Sequence, residues 1–333
     1  MMRAVIVKQP GDASQLVIAD YPKPSPSDSQ ILVKTKCFCL NRMDIVQRKG
    51  LYPPPPGASE LLGVEISGIV EEVGKNVTKF KKGDAVFGLM GGGGYAEYAV
   101  LEESLALLKP ENISFEQAAA IPETWFTAYQ ALFLVSKLQK DEDVLIHAGA
   151  SGVSLCAIQL AKAAGAKRIF VTCGSEKKIE FCKSLGATHG INYKTQDWAK
   201  IIAEETGNKG VNVIVDYIGK NYFNQNLEVL SLDGRMVILA FMSGPIVENA
   251  NIAPILKKRL RIEGSTLRSR SVEYQANLCQ QVYEHAIKEH LCSTGEGKFK
   301  VIIDSVFDWK DIVKATEYME SDQSMGKIVM VIP

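Results

Sequence analysis

The segment with the most chemical content is Gly149-Ala150-Ser151-Gly152-Val153-Ser154. An apolar run, Asp143-Val144-Leu145-Ile146-His147-Ala148, precedes it. After it, Val153, Ala157, Leu160, Ala161 and Ala164 recur at helical spacing until Gly165 closes the stretch. A strand, a turn of small residues and a helix make an anion cradle. The backbone can come close, and the helix start offers N–H groups and the positive end of its dipole. The pyrophosphate of a dinucleotide suits such a cradle. The bare pattern is weak: against G-x-G-G-x-G it keeps Gly149 and Gly152 and has serines at 151 and 154. An ordinary strand–helix turn packed on glycine would show the same residues. Context favours the cradle, because a second strand, Arg168-Ile169-Phe170-Val171-Thr172-Cys173, ends about 25 residues on.

The tip of that second strand discriminates between nicotinamide cofactors. An acid there usually bonds a ribose 2′-hydroxyl. Here the strand runs out as Thr172-Cys173-Gly174-Ser175, followed by Lys177 and Lys178. Hydroxyls and cations suit a 2′-phosphate instead, so NADPH is the expected cofactor. Glu176 is the one dissenting acid, and a solvated helix start is the plainer reading of the two lysines. No Ser-His-Asp set or carboxylate pair accompanies the turn. His147, inside a buried strand, reads as a satisfied core histidine.

These residues need a scaffold. The first 120 or so residues read as β-rich: short apolar runs such as Ile31-Leu32-Val33 are separated by Pro, Gly and Asp, with turn-rich stretches at Tyr52-Pro53-Pro54-Pro55-Pro56-Gly57 and Gly91-Gly92-Gly93-Gly94. A small barrel or folded sheet fits. From about residue 125 strands alternate with amphipathic helices, with further strands expected at 213–216 and 236–240. Repeated β-α-β units imply a parallel doubly wound sheet. The tail is read as a helix over 272–290 and strands at 301–303 and 327–331, packing back on the N-terminal part. The expected domains are therefore 1–124 with 264–333, and 125–263.

Lys plus Arg and Asp plus Glu both number 38, so the net charge of zero gives no overall pull toward nucleic acid or an anionic membrane. The densest basic cluster, Lys257-Lys258-Arg259-Leu260-Arg261, reads as a solvated face. The N-terminus turns polar at Lys8 and lacks the apolar core of a signal peptide. No run approaches the roughly 18 apolar residues of a membrane helix. Seven scattered cysteines without a C-x-x-C pair suggest reduced thiols in the cytoplasm.

Several runs in register carry a resemblance that spans essentially the whole chain: Leu40-Asn41-Arg42-Met43-Asp44, Ala118-Ala119-Ala120-Ile121-Pro122-Glu123, Ile191-Asn192-Tyr193-Lys194 and Leu267-Arg268-Ser269-Arg270, besides the two segments around Tyr52 and Gly149. The sequence resembles the medium-chain dehydrogenase/reductase superfamily and, within it, the zinc-free quinone oxidoreductase (zeta-crystallin-like) group. The fold this implies is α/β: a GroES-like β-rich catalytic domain plus a Rossmann doubly wound parallel sheet, with the active site in the cleft between them. Zinc enzymes of the superfamily carry a Cys, the His of a Gly-His-Glu and a second Cys at positions that here hold Asn41, Val64 and Glu123. Valine cannot ligate zinc, so no metal is expected. Cys37 and Cys39 read as core.

The resemblance also implies roles. Lys178 and Tyr193, helped by Ser175, would hold the adenosine 2′-phosphate. Gly149, Ser151, Gly152 and Val153 would line the pyrophosphate. Gly219, Phe241, Met242 and Ser243, at strand ends, would meet the nicotinamide ribose and ring. Leu267, Arg268 and Ser269 would contact its amide. Asn41, Asp44, Tyr52 and Thr127 would surround the nicotinamide and substrate. Two positions depart from the pattern, since Ser154 and Ser243 stand where glycine is usual. Asp44 as a helix cap, Tyr52 as a packed surface ring and Thr127 bonding its own helix are the plainer readings. A homodimer is also implied, with 236–240 and 246–255 as the candidate contact.

The expected function is NADPH-dependent reduction of quinones or similar electrophiles, by hydride or single-electron transfer, without a metal. A quinone accepts hydride without a Lewis acid, and the oxyanion that develops needs only donors, which Asn41 or Tyr52 would supply. The neighbouring alternative is reduction of enones or 2-enoyl thioesters with a Tyr as proton donor. The more distant one is a cofactor-stabilised, crystallin-like protein touching RNA through 257–261, which the balanced charge disfavours.

Overall fold

The computed structural model describes residues 1–291 and 299–333. The chain divides into two compact units, Met1–Phe126 with Leu267–Pro333, and Thr127–Thr266.

The first unit is built on a seven-stranded sheet. Its spine is the strand Gln30–Cys39, which pairs antiparallel with Glu65–Val73, Tyr98–Glu102 and Lys327–Val331. Ala85–Leu89 and Ala106–Leu108 extend it on one side. On the other, Ile303–Asp308 lies parallel to Lys327–Val331. A separate hairpin-like pair, Met2–Val7 with Leu16–Tyr21, completes the unit. Alternating apolar side chains of the spine and its neighbours, among them Val33, Phe38, Ile66, Val70 and Ile328, form one core with Trp309. This is the GroES-like β-rich half. The tail does return to it, but the strand starts at Ile303 and runs to Asp308 rather than occupying 301–303. The tail helix is α-helical only over Val272–Val282 and continues as a π-helix over Tyr283–Leu291. Apolar spacing over two turns cannot separate a 3.6-residue period from the wider π turn.

The second unit is a six-stranded sheet, parallel throughout. The spatial order is His189–Asn192, Arg168–Cys173, Asp143–Ile146, Val211–Asp216, Leu230–Ile238, Arg261–Gly264. The chain winds outward in one direction from Asp143–Ile146, then returns to place Val211–Asp216 on its other side. That reversal is the topological switch point, where sheets of this kind bind ligands at the carboxyl ends of the strands. Leu145, Phe170, Ile214, Leu230 and Met236 form the core of one face. The strand expected at 236–240 spans Leu230–Ile238 and has a neighbour on both sides, so it cannot pair across a dimer. The sheet edges are His189–Asn192 and Arg261–Gly264.

Six cysteines are free thiols, and Cys292 lies outside the described residues. Among the described residues no helix is long and apolar enough to cross a membrane.

Candidate active site

In the first unit the spine strand ends at Cys39, and the chain turns through Leu40 and Asn41 into the short helix Arg42–Arg48. Helix capping then draws two expected site residues together. Asp44, in the first turn, accepts the Asn41 backbone N–H at 2.8 Å. The cap reading of Asp44 is therefore part of its role, but its carboxylate also accepts the Tyr95 hydroxyl at 2.9 Å and the Gly63 N–H at 3.2 Å. Gly63 has φ of +93°, and a Cβ there would lie 2.4 Å from the Tyr95 ring, so only glycine allows this approach. Burial pushes the Asp44 carboxyl up to about 6 against the opposing pull of these hydrogen bonds and of Lys327.

Beside this cap lies a buried ion pair. Lys327, the first residue of its strand, donates from Nζ to Asn41 Oδ1 at 2.6 Å and to the Leu40 carbonyl at 3.0 Å. Its third partner is Glu65 Oε1 at 2.7 Å. Asn41 Nδ2 donates to that same Glu65 oxygen at 3.0 Å, and the Glu123 backbone N–H donates to Glu65 Oε2 at 2.8 Å. Side-chain exposure is 6% for Lys327 and 0% for Glu65. Burial works to lower the lysine, but the charge of Glu65 and its neighbours outweighs it and the net shift is upward.

A second polar group is centred on Arg268. Its Nε donates to the Gly91 carbonyl and its Nη1 to Gln47 Oε1, both at 2.7 Å. The guanidinium lies 5.7 Å from the centre of the Tyr52 ring, a cation–π contact. Nη2 is buried with no hydrogen-bond partner among the described residues. Tyr52 is half-buried, and desolvation raises its hydroxyl, which keeps the phenol protonated. The charges of Asp44 and Glu123 act on Arg268, so the two groups share one electrostatic neighbourhood. Leu267 is buried and Ser269 exposed.

In the second unit, Ser151 caps the twelve-residue helix Gly152–Ala163, with Gly152 and Val153 in its first turn. A Cβ on Gly149 would lie 2.8 Å from Val171 and 3.0 Å from Cys173 Sγ, so this glycine is required by close strand packing. Ser154 points inward: it is fully buried, donates to the His147 carbonyl at 3.0 Å and accepts from Ser151 Oγ at 2.8 Å. Ser175 caps the helix Glu176–Leu185. A Cβ on Gly174 would meet the Tyr193 hydroxyl at 3.0 Å, which places Tyr193 against the tip of the second strand, near Ser175. Lys178 is half-exposed in the first turn of that helix. The dissenting acid, Glu176, accepts from Asn192 Nδ2 at 3.1 Å.

Gly219 has φ of +80° and donates to the Asp216 carboxylate, which burial raises to about 6. Phe241 and Met242 are exposed. Ser243 is tied down by donating to the Ile218 carbonyl at 2.7 Å and accepting the Asn221 N–H at 3.0 Å. Thr127, half-exposed on the helix Pro122–Tyr129, is the first residue of this unit. The basic cluster is largely consumed by structure. Lys258 donates to three backbone carbonyls, and Arg259 pairs with Asp233.

The sequence reading missed Glu65 and Lys327 as members of the site. Each charge opens a strand, Glu65 of Glu65–Val73 and Lys327 of Lys327–Val331, but no local signal in the sequence brings the two together.

A zinc site does not fit these residues. Val64 offers no donor, Asn41 Oδ1 and Glu65 already face an ammonium, and burial holds the Cys39 thiol far above its ordinary value. Among the described residues no three His, Cys, Asp or Glu side chains gather as a metal-binding group.

Two family models match the chain, an alcohol dehydrogenase GroES-like domain over residues 27–111 and a zinc-binding dehydrogenase over residues 152–283. The chain is 31% identical to a quinone oxidoreductase of Rattus norvegicus, over 100% of this chain and 98% of that protein. Its structure is similar to that of an Escherichia coli quinone oxidoreductase complexed with NADPH, with a TM-score of 0.85 and 29% identity over 99% of both chains. It is also similar to the CurK enoyl reductase, with a TM-score of 0.87 and 29% identity over 100% of this chain and 99% of that one.

Proposed function

The chain belongs to the medium-chain dehydrogenase/reductase family, in its quinone oxidoreductase group, and from that premise we propose that it reduces quinones or similar electrophiles with NADPH. The second unit is the cofactor-binding domain and the first supplies the groups that meet the acceptor. The observation that carries this reading is the donor set of the first unit: an amide at Asn41, a protonated phenol at Tyr52 and a guanidinium at Arg268, with no ligand set for a metal among the described residues.

NADPH, when bound, supplies a hydride from its nicotinamide C4. Ser175, Lys178 and Tyr193 hold the 2′-phosphate, by hydroxyls and a cation where an acid would repel it. Gly149, Ser151, Gly152 and Val153 present the helix start to the pyrophosphate. Gly219, Phe241, Met242 and Ser243 line the path of the nicotinamide ribose, and Leu267, Arg268 and Ser269 orient the amide. Asn41 and Tyr52 donate to the acceptor oxygen as it gains charge, Asp44 holds Asn41 in place, and Thr127 completes the surroundings of the ring. The reaction balances as quinone plus NADPH plus one proton giving hydroquinone and NADP⁺, with water as the final proton source.

The similarity to an enoyl reductase and the protonated Tyr52 favour one second reading, hydride addition to an enone or enoyl thioester with Tyr52 as proton donor. Oxidation of NADPH with a panel of quinones, enones and enoyl thioesters separates the two. Good turnover of enones with none of any quinone would sink the first choice. We propose the cytoplasm as its compartment, a reading supported by scattered cysteines without a C-x-x-C pair. A homodimer completes the proposal. The sheet edge Arg261–Gly264 and the exposed Ile246, Ile252 and Leu256 offer its contact, and light scattering would read a mass twice that of the chain.

A further inference from the structure

Asn41 sits between two opposite charges, and that decides which way round its amide lies. An ammonium has only donors, so the atom 2.6 Å from Lys327 Nζ is the amide oxygen. A carboxylate has only acceptors, so the atom 3.0 Å from Glu65 Oε1 is the amide nitrogen. With neutral neighbours the two orientations of an amide are close to equivalent. One N–H of Nδ2 is bound to Glu65, and the second remains on a residue that keeps 8% exposure.

We propose that the buried Lys327–Glu65 pair is a positioning device, locking the Asn41 amide so that an N–H, and never its oxygen, is offered to the acceptor's carbonyl oxygen. The inference rests on the hydride-transfer reading above. Neither charged residue touches substrate; both act through Asn41. Stability does not account for the pair, because well-packed apolar residues commonly replace a buried ion pair without loss. Its connections fit orientation instead. Lys327 holds the Leu40 carbonyl and Glu65 holds the Glu123 N–H, so the chain just before Asn41 and the start of the helix Pro122–Tyr129 are fixed to the same two groups. Were Asn41 to turn over, a lone pair would face the oxygen on which negative charge collects, and attraction would become repulsion.

The test is the double variant Glu65→Gln/Lys327→Met. It removes both charges together, keeps an acceptor for the Glu123 N–H and lets the amide turn over. With the acceptor that wild type reduces best, kcat should fall on the order of 100-fold, the scale of one lost oxyanion donor. The Kd for NADPH should stay the same, as should the urea midpoint. The side-chain amide resonances of Asn41, identified by their loss in Asn41→Asp, should shift. Unchanged kcat in a folded double variant would overturn the inference. If wild type reduces neither quinone nor enone, the hydride-transfer reading fails by itself. The amide resonances then still decide the lock: a shift supports it and identical resonances overturn it. Should this variant not fold, Glu65→Gln/Lys327→Gln carries the same readouts.

Discussion

The network around His147 in the second unit and the one around Asn41 in the first are both dry, and they are made of opposite materials. His147 Nδ1 lies 3.0 Å from Thr172 Oγ1 and Nε2 lies 2.8 Å from Asn226 Oδ1, with the rings of Trp198 and Tyr222 about it. Burial pushes the imidazole down to about 4, so the whole network is neutral. The Asn41 network holds an ammonium and two carboxyls, Glu65 and Asp44. A neutral network can serve packing alone, even with Asn226 Nδ2 left without a partner among the described residues. A charged one carries a desolvation cost that packing would not select, and it surrounds Asn41, a residue proposed to meet the acceptor.

Breaking the charge balance should have the largest effect. Lys327→Met alone strands the Glu65 carboxylate and should cost about 3–5 kcal/mol in urea unfolding, while Glu65→Gln/Lys327→Met should leave the midpoint unchanged. Equal losses in the two variants would mean that the pair is held for packing and the contrast with His147 is false.

The pH response should separate the networks by sign. Asp44 is raised in the folded protein, from 3.8 to about 6, so the folded state binds the extra proton and Asp44's contribution to stability falls as pH rises from about 4 to 6. His147 is lowered, from 6.5 to about 4, so the unfolded state binds the proton and its contribution falls as pH drops from about 6.5 to 4. Each amounts to about 3 kcal/mol. The two oppose one another in wild type and emerge as opposite slopes when Asp44→Asn and His147→Gln are each compared with wild type across pH 4 to 6.5. Slopes of the same sign would contradict the assignment.

At the cofactor end, Lys178→Ala should weaken NADPH by about 2 kcal/mol, roughly 30-fold, and leave NADH unchanged by fluorescence titration. An equal loss for both cofactors would remove the 2′-phosphate from this lysine. The smallest effect belongs to Ser154→Gly. Losing the bond to the His147 carbonyl should cost about 1 kcal/mol of stability with the NADPH Kd unaltered.

Much of the fold was legible because local patterns carry it. The alternation of buried strands and amphipathic helices after about residue 125 is a property of short windows, and the parallel sheet follows from it. The charged cap at Asp44 was legible as a cap for the same reason. One edge of that sheet was not, since Arg261–Gly264 is four residues long with little apolar signal, and it is a strand because Leu230–Ile238 offers it a ladder.

By itself, the sequence determined which chemistries the chain can attempt: side chains that cannot make a zinc site at Asn41, Val64 and Glu123, a strand tip free of acid at Cys173, and a small-residue turn at Gly149. These depend on residue identity and near neighbours. Only the tertiary structure decided that Lys327, 286 positions from Asn41, closes on its amide oxygen, and that Glu65 takes the nitrogen. No window of sequence contains that arrangement. It arises because Gln30–Cys39 pairs on one side with Lys327–Val331 and on the other with Glu65–Val73, and it persists because the two charges, once out of water, are satisfied by each other, by Asn41, and by the Leu40 carbonyl and Glu123 N–H.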